Sequence, residues 1–163
     1  HGHHRRQRQM CIRDSYELDE MKVMHTTEFI TQQGFDVKMA VEEDMTVTYH
    51  DPCRLGRQMN IYDEPRDLVK QVDGVNLVEM EHHGEDGLCC GVSNMMSCNE
   101  NSRALRLQRF DEVKATGAEV MLTSCPKCVS HFECLKFEGD PRHDFEILDV
   151  VSFLARQIES KRA

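Results

Sequence analysis

Five cysteines delivered from three separated points constrain this chain more than any other feature. They are Cys53, the adjacent pair Cys89 and Cys90, and the pair Cys125 and Cys128, in the pattern C-x35-CC-x34-C-x2-C. A tetrahedral zinc site needs no more than four ligands. A polynuclear iron–sulfur cluster asks for a thiolate on each of several metal atoms. A C-x2-C turn aims two sulfurs at one centre and by itself serves zinc, clusters and redox disulfides alike. Adjacent cysteines are more selective: their side chains diverge, and they reach two irons of one cluster more readily than a single ion. Gly91, directly after the pair, allows a turn or a close backbone approach that a Cβ would obstruct.

The length of 163 residues is that of one ordinary domain with a real core. A formal charge of −9 argues against nucleic acid as a partner, because binding phosphates needs a basic face. No apolar run approaches the length of a membrane span, so any membrane link is expected through a partner. Eight cysteines raise the question of disulfides. The CC and CxxC grouping reads as ligands rather than staples, no secretory leader is visible, and the expected compartment is the reducing cytoplasm. Residues 1–15 stand apart, with three histidines, four arginines and Cys11. They are expected to be a non-native or disordered leader, and residues 16–163 a single domain.

The remaining pattern predicts alternating strands and helices. A helix is expected from Tyr16 to about Gln33, with Leu18, Met21, His25 and Phe29 on its packed face and His25 a hydrogen-bonded core histidine. Residues 38–45 read as an acidic connector. Thr46–Tyr49 reads as a strand running into His50-Asp51-Pro52-Cys53, where Pro52 ends regular pairing. A helix should open with Pro65 at its first position, bury Leu68, Val69 and Val72, and stop at Asp73-Gly74. Val75–Met80 is a second expected strand, followed by a polar loop over 81–88. Asn99 should cap a helix to about Thr116 whose apolar stripe is Ala104, Leu107, Phe110 and Val113, with the arginines on the surface. Glu119–Thr123 is a third strand, a helix follows to Phe137, and Ile147, Val150, Val151, Leu154 and Ile158 mark a final amphipathic helix. Strands separated by helices predict an α/β fold, a small parallel sheet flanked by helices. Sites in such sheets form beyond the C-terminal strand ends, so all three cysteine arms should converge on that edge.

Thiolates concentrate negative charge, and His50, Arg54, Arg57, His82, His83 and Lys127 all lie within a few residues of a cysteine arm. They are candidates for tuning a bound group or, if not that, solvated side chains. His50 and Lys127 are also candidate proton donors. Cys98 and Cys134 are candidate supplementary ligands, against the plainer reading of buried helix cysteines.

At these motifs the sequence resembles the CCG-domain, or cysteine-rich-domain, proteins. Among them are the catalytic subunit of heterodisulfide reductase and the iron–sulfur subunits of glycolate, lactate and anaerobic glycerol-3-phosphate dehydrogenases. The resemblance runs from about Tyr16 to Arg156 and is carried by His50-Asp51-Pro52-Cys53-Arg54-Leu55-Gly56-Arg57, Cys89-Cys90-Gly91 and Ser124-Cys125-Pro126-Lys127-Cys128. It implies a [4Fe–4S]-type cluster, non-cubane in heterodisulfide reductase, held by Cys53, Cys89, Cys90, Cys125 and Cys128. Many members carry a second CCG domain and an upstream ferredoxin-like domain. This chain shows one CCG motif, so it is expected to be a fragment or C-terminal domain of something longer. The glycine run that often follows CCG is replaced by Val92-Ser93-Asn94-Met95-Met96-Ser97-Cys98.

The leading expectation is therefore the cluster-binding domain of a heterodisulfide-reductase-like oxidoreductase. An iron–sulfur or flavin subunit would donate electrons, and a disulfide or another carrier would receive them. The other readings are a substrate-free relay serving a lactate-, glycolate- or glycerol-phosphate-type dehydrogenase, a structural zinc site using four of the cysteines, and a thiol–disulfide enzyme built on Cys125 and Cys128.

Overall fold

In a computed structural model of the chain, the described residues are 23–34, 38–92, 99–139, 141–142 and 144–159. The expected leader over 1–15, the first part of the expected N-terminal helix and Cys98 lie outside them. Four strands form one parallel sheet in the order β2-β1-β3-β4: β1 Met39–His50, β2 Val72–Leu77, β3 Val120–Thr123 and β4 Glu146–Asp149. Helices precede, connect and follow the strands: α1 Thr26–Gln33, α2 Gly56–Met59, α3 Asp63–Lys70, α4 Glu100–Thr116, α5 Pro126–Phe137 and α6 Val150–Glu159. This is the α/β architecture that the alternation of strands and helices predicts.

Strand periodicity divides the core between the two faces of the sheet. Val120 and Leu122 of β3 pack with Val47, Tyr49, Leu68, Val69 and Phe153 on one face. Met121 points the other way, to Met80, Phe110, Val113, Phe132 and Ile147, in a cluster that also contains Cys90 and Cys128. Full burial of each large side chain stabilises the fold by roughly 1.5–3 kcal/mol. Thus two of the motif cysteines are also part of the core.

Several boundaries differ from those the sequence predicts. Of the expected connector over 38–45, residues 39–45 are instead the first half of β1. There the strand pairs with β2 alone, because pairing with β3 begins at Val47. Glu42, Glu43 and Asp44 can therefore remain exposed on extended backbone. Register slips between Ala40 and Met45, opposite Gly74 at φ 84°. An added Cβ at Gly74 would lie 2.8 Å from Val41 Cγ2, so this strand pair closes only around a glycine.

Helix α3 begins at Asp63, which makes Pro65 its third residue rather than its first, and β2 starts at Val72, before the expected position. His25 is not on a packed helix face. It is the N-cap of α1, where its Nδ1 accepts from the Thr27 N–H while Glu28 accepts from the His25 N–H at 3.0 Å. Phe29 is 51% exposed. Ile147 belongs to β4, a four-residue strand that the final amphipathic pattern conceals. Asp149 then caps α6 by accepting from the Val151 N–H at 2.9 Å. Arg106 and Arg109 of α4 lie at 0% exposure, not on the surface, whereas Arg103 is exposed.

Candidate metal centre

Strand β1 delivers its arm at the C-terminal edge of the sheet. Alternation turns Tyr49 to one core and His50 to the other, where the His50 ring meets Phe132 edge-on at 4.9 Å. After Pro52 the chain enters a helical turn, with the Gly56 N–H donating to the Pro52 carbonyl at 2.9 Å and the Arg57 N–H to that of Cys53 at 3.1 Å. Cys53 is thereby held just beyond the strand.

The buried Asp51 anchors this turn. Arg66 of α3 donates to both of its oxygens at 2.8 Å, and also to Glu79 at 2.6 and 2.9 Å. Asp51 accepts from the Gly84 N–H at 2.7 Å as well. That bond ties the β1 arm to the loop leading to Cys89 and Cys90. Arg57 makes a second tie by donating to the Gly87 carbonyl at 2.8 Å. These are charge-assisted and partly bidentate bonds, which fix geometry well.

The third arm leaves β3 at Ser124, whose hydroxyl accepts from Tyr49 at 3.2 Å. Pro126 opens α5, which puts Cys125 at the helix N-terminus and Cys128 in its first turn. Cys128 donates its thiol proton to the Cys90 sulfur at 3.1 Å. His50, Cys90 and Cys128 are all buried, and their donor atoms lie within 4.8 Å of one another. A cavity of about 420 Å³ is lined by Cys53, Cys90, Cys125 and Cys128, with Arg54 and Lys127 also on its wall. Cys89 stands beside Cys90, and its sulfur accepts from the Gly91 N–H at 3.3 Å. All three predicted arms meet here.

The electrostatics follow from the shared protons. The Cys128 thiol, aided by Cys89, holds Cys90 far below the ordinary thiol range, against burial, which works the other way. Cys128 is pushed up, because its proton is held between the sulfurs of Cys125 and Cys90. Cys125 is lowered to about 6, first by the Cys128 thiol and further by backbone N–H groups at the start of α5. Burial depresses His50, which is only 1% exposed, and among the described residues its Nδ1 has no hydrogen-bond partner. Four cysteines around one cavity, with the His50 ring packed against Cys90 and Cys128, form a soft donor set that suits a thiophilic metal group in this place.

The other candidates fall elsewhere. His82 binds Glu112 at 3.0 Å, and the exposed His83 binds the Met80 carbonyl at 2.8 Å; neither lines the cysteine cavity. Cys134 donates to the Ser130 carbonyl at 3.3 Å within its own helix and lines a neighbouring hollow instead. Gly91 sits at φ 87°, and a Cβ there would lie 2.8 Å from the Ser102 carbonyl oxygen, so the close approach its position suggests is present. Residues outside the sequence motifs support the site as well. The His131 ring contacts the Cys90 carbonyl at 2.8 Å. Helix spacing from Cys128 could have pointed to His131, but nothing local marks Ser102 or Arg66.

Comparison with known proteins points to one family. The family model of the CCG cysteine-rich domain matches residues 47–133. A Bacillus subtilis protein named "Probable iron-sulfur-binding oxidoreductase FadF" is 31% identical over 85% of this chain and 20% of its own length. A subunit of the dihydromethanophenazine:CoB–CoM heterodisulfide reductase of Methanosarcina acetivorans is 30% identical over 84% of this chain and 34% of its own length. A subunit of the CoM/CoB fumarate reductase of Methanothermobacter marburgensis is 30% identical over 83% of this chain and 27% of its own length. The chain thus spans about a fifth to a third of the length of these relatives. No solved structure matches it significantly. With more than half of its length, and all five motif cysteines, inside the family match, the chain belongs to the CCG cysteine-rich domain family.

Proposed function

We propose that Cys53, Cys89, Cys90, Cys125 and Cys128 hold an iron–sulfur cluster of the [4Fe–4S] class, with the non-cubane form of that class included. On this reading the chain is the cluster-bearing domain of a heterodisulfide-reductase-like oxidoreductase. The observation that carries it is the meeting of three separate arms in one cavity with four cysteines on its wall. The relatives support it, being by name an iron–sulfur-binding oxidoreductase and components of heterodisulfide and fumarate reductases. A bound cluster supplies single-electron storage that thiols alone do not have.

The chain's own residues then divide the work. Asp51, Arg57 and Arg66 fix the arms. Phe132 and the surrounding core exclude water behind the sulfurs. Lys127 is exposed on the cavity wall, where its ammonium can protonate a thiolate leaving a disulfide substrate. His50, buried and held neutral, is the poorer donor and the better fixed neighbour of Cys90. Electrons come from an iron–sulfur or flavin subunit and go to a small disulfide or another carrier, in the cytoplasm. No described helix is long and apolar enough to cross a membrane.

The compact trio of His50, Cys90 and Cys128 favours one rival, a single zinc ion. Cys89→Ser separates the two readings, because Cys89 lies outside that trio, and Cys90→Ser tests the other half of the adjacent pair. Each variant should lose most of the visible absorbance and part of the iron of the loaded chain. Full iron and colour in both would remove the adjacent pair from the ligand set.

A further inference from the structure

Helix α4 turns a polar edge toward the Cys90-Gly91 turn. Ser102 and Arg106, four residues apart and so on one face of the helix, are both buried, Arg106 completely. Arg106 donates from Nη1 to the His131 carbonyl at 3.2 Å. The ring of the same histidine meets the Cys90 carbonyl through Nδ1 at 2.8 Å. A carbonyl only accepts, so Nδ1 carries the proton. Ser102 closes the arrangement, with its hydroxyl 3.2 Å from His131 Nε2 and 3.3 Å from the Gly91 carbonyl. A guanidinium is therefore linked through one histidine residue to the backbone that carries the adjacent cysteines.

The surroundings of Arg106 are unusual for a buried cation. Its neighbour Arg109, equally buried, has Glu112 at 2.6 Å as a counter-ion. The carboxylate paired with Arg106 is Glu138, 3.9 Å away, partly exposed, and bonded to Arg103 at 3.0 Å. Among the described residues, the Nε of Arg106 has no partner. A fully buried cation with so distant a counter-ion is expensive, and an apolar side chain of similar length would often serve the fold as well or better. What lies beyond His131 is a group of thiols that become anionic on binding metal. A charge held in the interior acts on such a group with little screening.

We propose that Arg106, acting through His131, is a positioning residue of the cysteine site: it holds the Cys90-Gly91 peptide and places a fixed positive charge behind Cys90 that favours the reduced, more negative form of the bound group. This rests on the cluster reading above.

The test compares the wild-type chain with Arg106→Met and Arg106→Lys. Each is loaded with iron and sulfide without oxygen and titrated by electron paramagnetic resonance, and the metal-free chains are unfolded in urea. Arg106→Met should keep wild-type iron content and a metal-free urea midpoint no lower than wild type. Its group should be about tenfold harder to reduce, which for one electron is a midpoint about 59 mV more negative. Arg106→Lys, which keeps the charge, should stay near the wild-type potential. A wild-type potential in Arg106→Met overturns the inference and leaves the cluster reading intact. A metal-free Arg106→Met chain that unfolds much earlier, or does not fold, also overturns it, because Arg106 is then a packing residue. A wild-type chain that takes up no iron removes the cluster reading, and the inference with it.

Discussion

At Gly91 the backbone adopts φ 87°, and the space a side chain would need is occupied by the Ser102 carbonyl oxygen 2.8 Å from the ideal Cβ position. Gly91→Ala should therefore destabilise the metal-free protein by about 1–3 kcal/mol, read as a lower urea midpoint. An unchanged midpoint would mean that the turn relaxes freely. Cys125 carries the second residue-scale prediction. Its folded pKa is lowered from the ordinary thiol value to about 6, chiefly by the Cys128 thiol. In the metal-free chain its alkylation rate should rise through pH 6, not in the ordinary thiol range of about 8.5. Because the folded value is the lower one, the associated stability is fully present above the unfolded pKa and fades as pH falls toward 6. A rate that rises only in the ordinary thiol range would show that Cys128 does not share its proton in this way. The glycine was legible in the sequence, because it follows an adjacent cysteine pair. Its neighbour Ser102 was not, because its closeness to Gly91 is produced only by the packing of α4 against the Cys90-Gly91 turn.

At the scale of elements, the link from β1 through Asp51 to Arg66 on α3 and Glu79 past β2 binds three segments at the C-terminal edge of the sheet. Arg66→Ala would leave the buried Asp51 carboxylate without its main partner. The expected loss is about 3–5 kcal/mol by denaturant unfolding, and Asp51→Asn combined with Arg66→Met should recover much of it. A loss below about 1 kcal/mol would show that water replaces the guanidinium readily. The same scale explains which elements could be read in advance. β3 was legible from its apolar run and its abrupt end at Ser124-Cys125-Pro126. The first half of β1 was not, because its acidic side chains face solvent where the strand has only one neighbour. β4 was hidden because its four residues run directly into α6, and the apolar positions of strand and helix merge into one pattern. The arginines of α4 misled for a related reason: helical spacing gives a face, but only the packed neighbours decide whether a long cation on that face is buried.

Across the whole molecule, one parallel sheet accounts for both cores and for the place where the cysteines meet. Cys90 and Cys128 belong to the same buried cluster as Phe110, Phe132 and Met121, so packing and metal binding share residues. Loading with metal should therefore stabilise this face of the sheet, since a site formed only in the folded state couples binding to folding. The convergence of three arms was readable from sequence because each cysteine motif follows a strand. The second core, with its polar links from α4 to α5, depended on side chains far apart in the chain. The central claim is that the five cysteines hold a polynuclear cluster, and metal and acid-labile sulfide analysis of the anaerobically loaded chain tests it most directly. The predicted result is about four irons per chain with matching sulfide, and a paramagnetic signal that changes when a small thiol is added. One zinc per chain, with no sulfide and no colour, would contradict it.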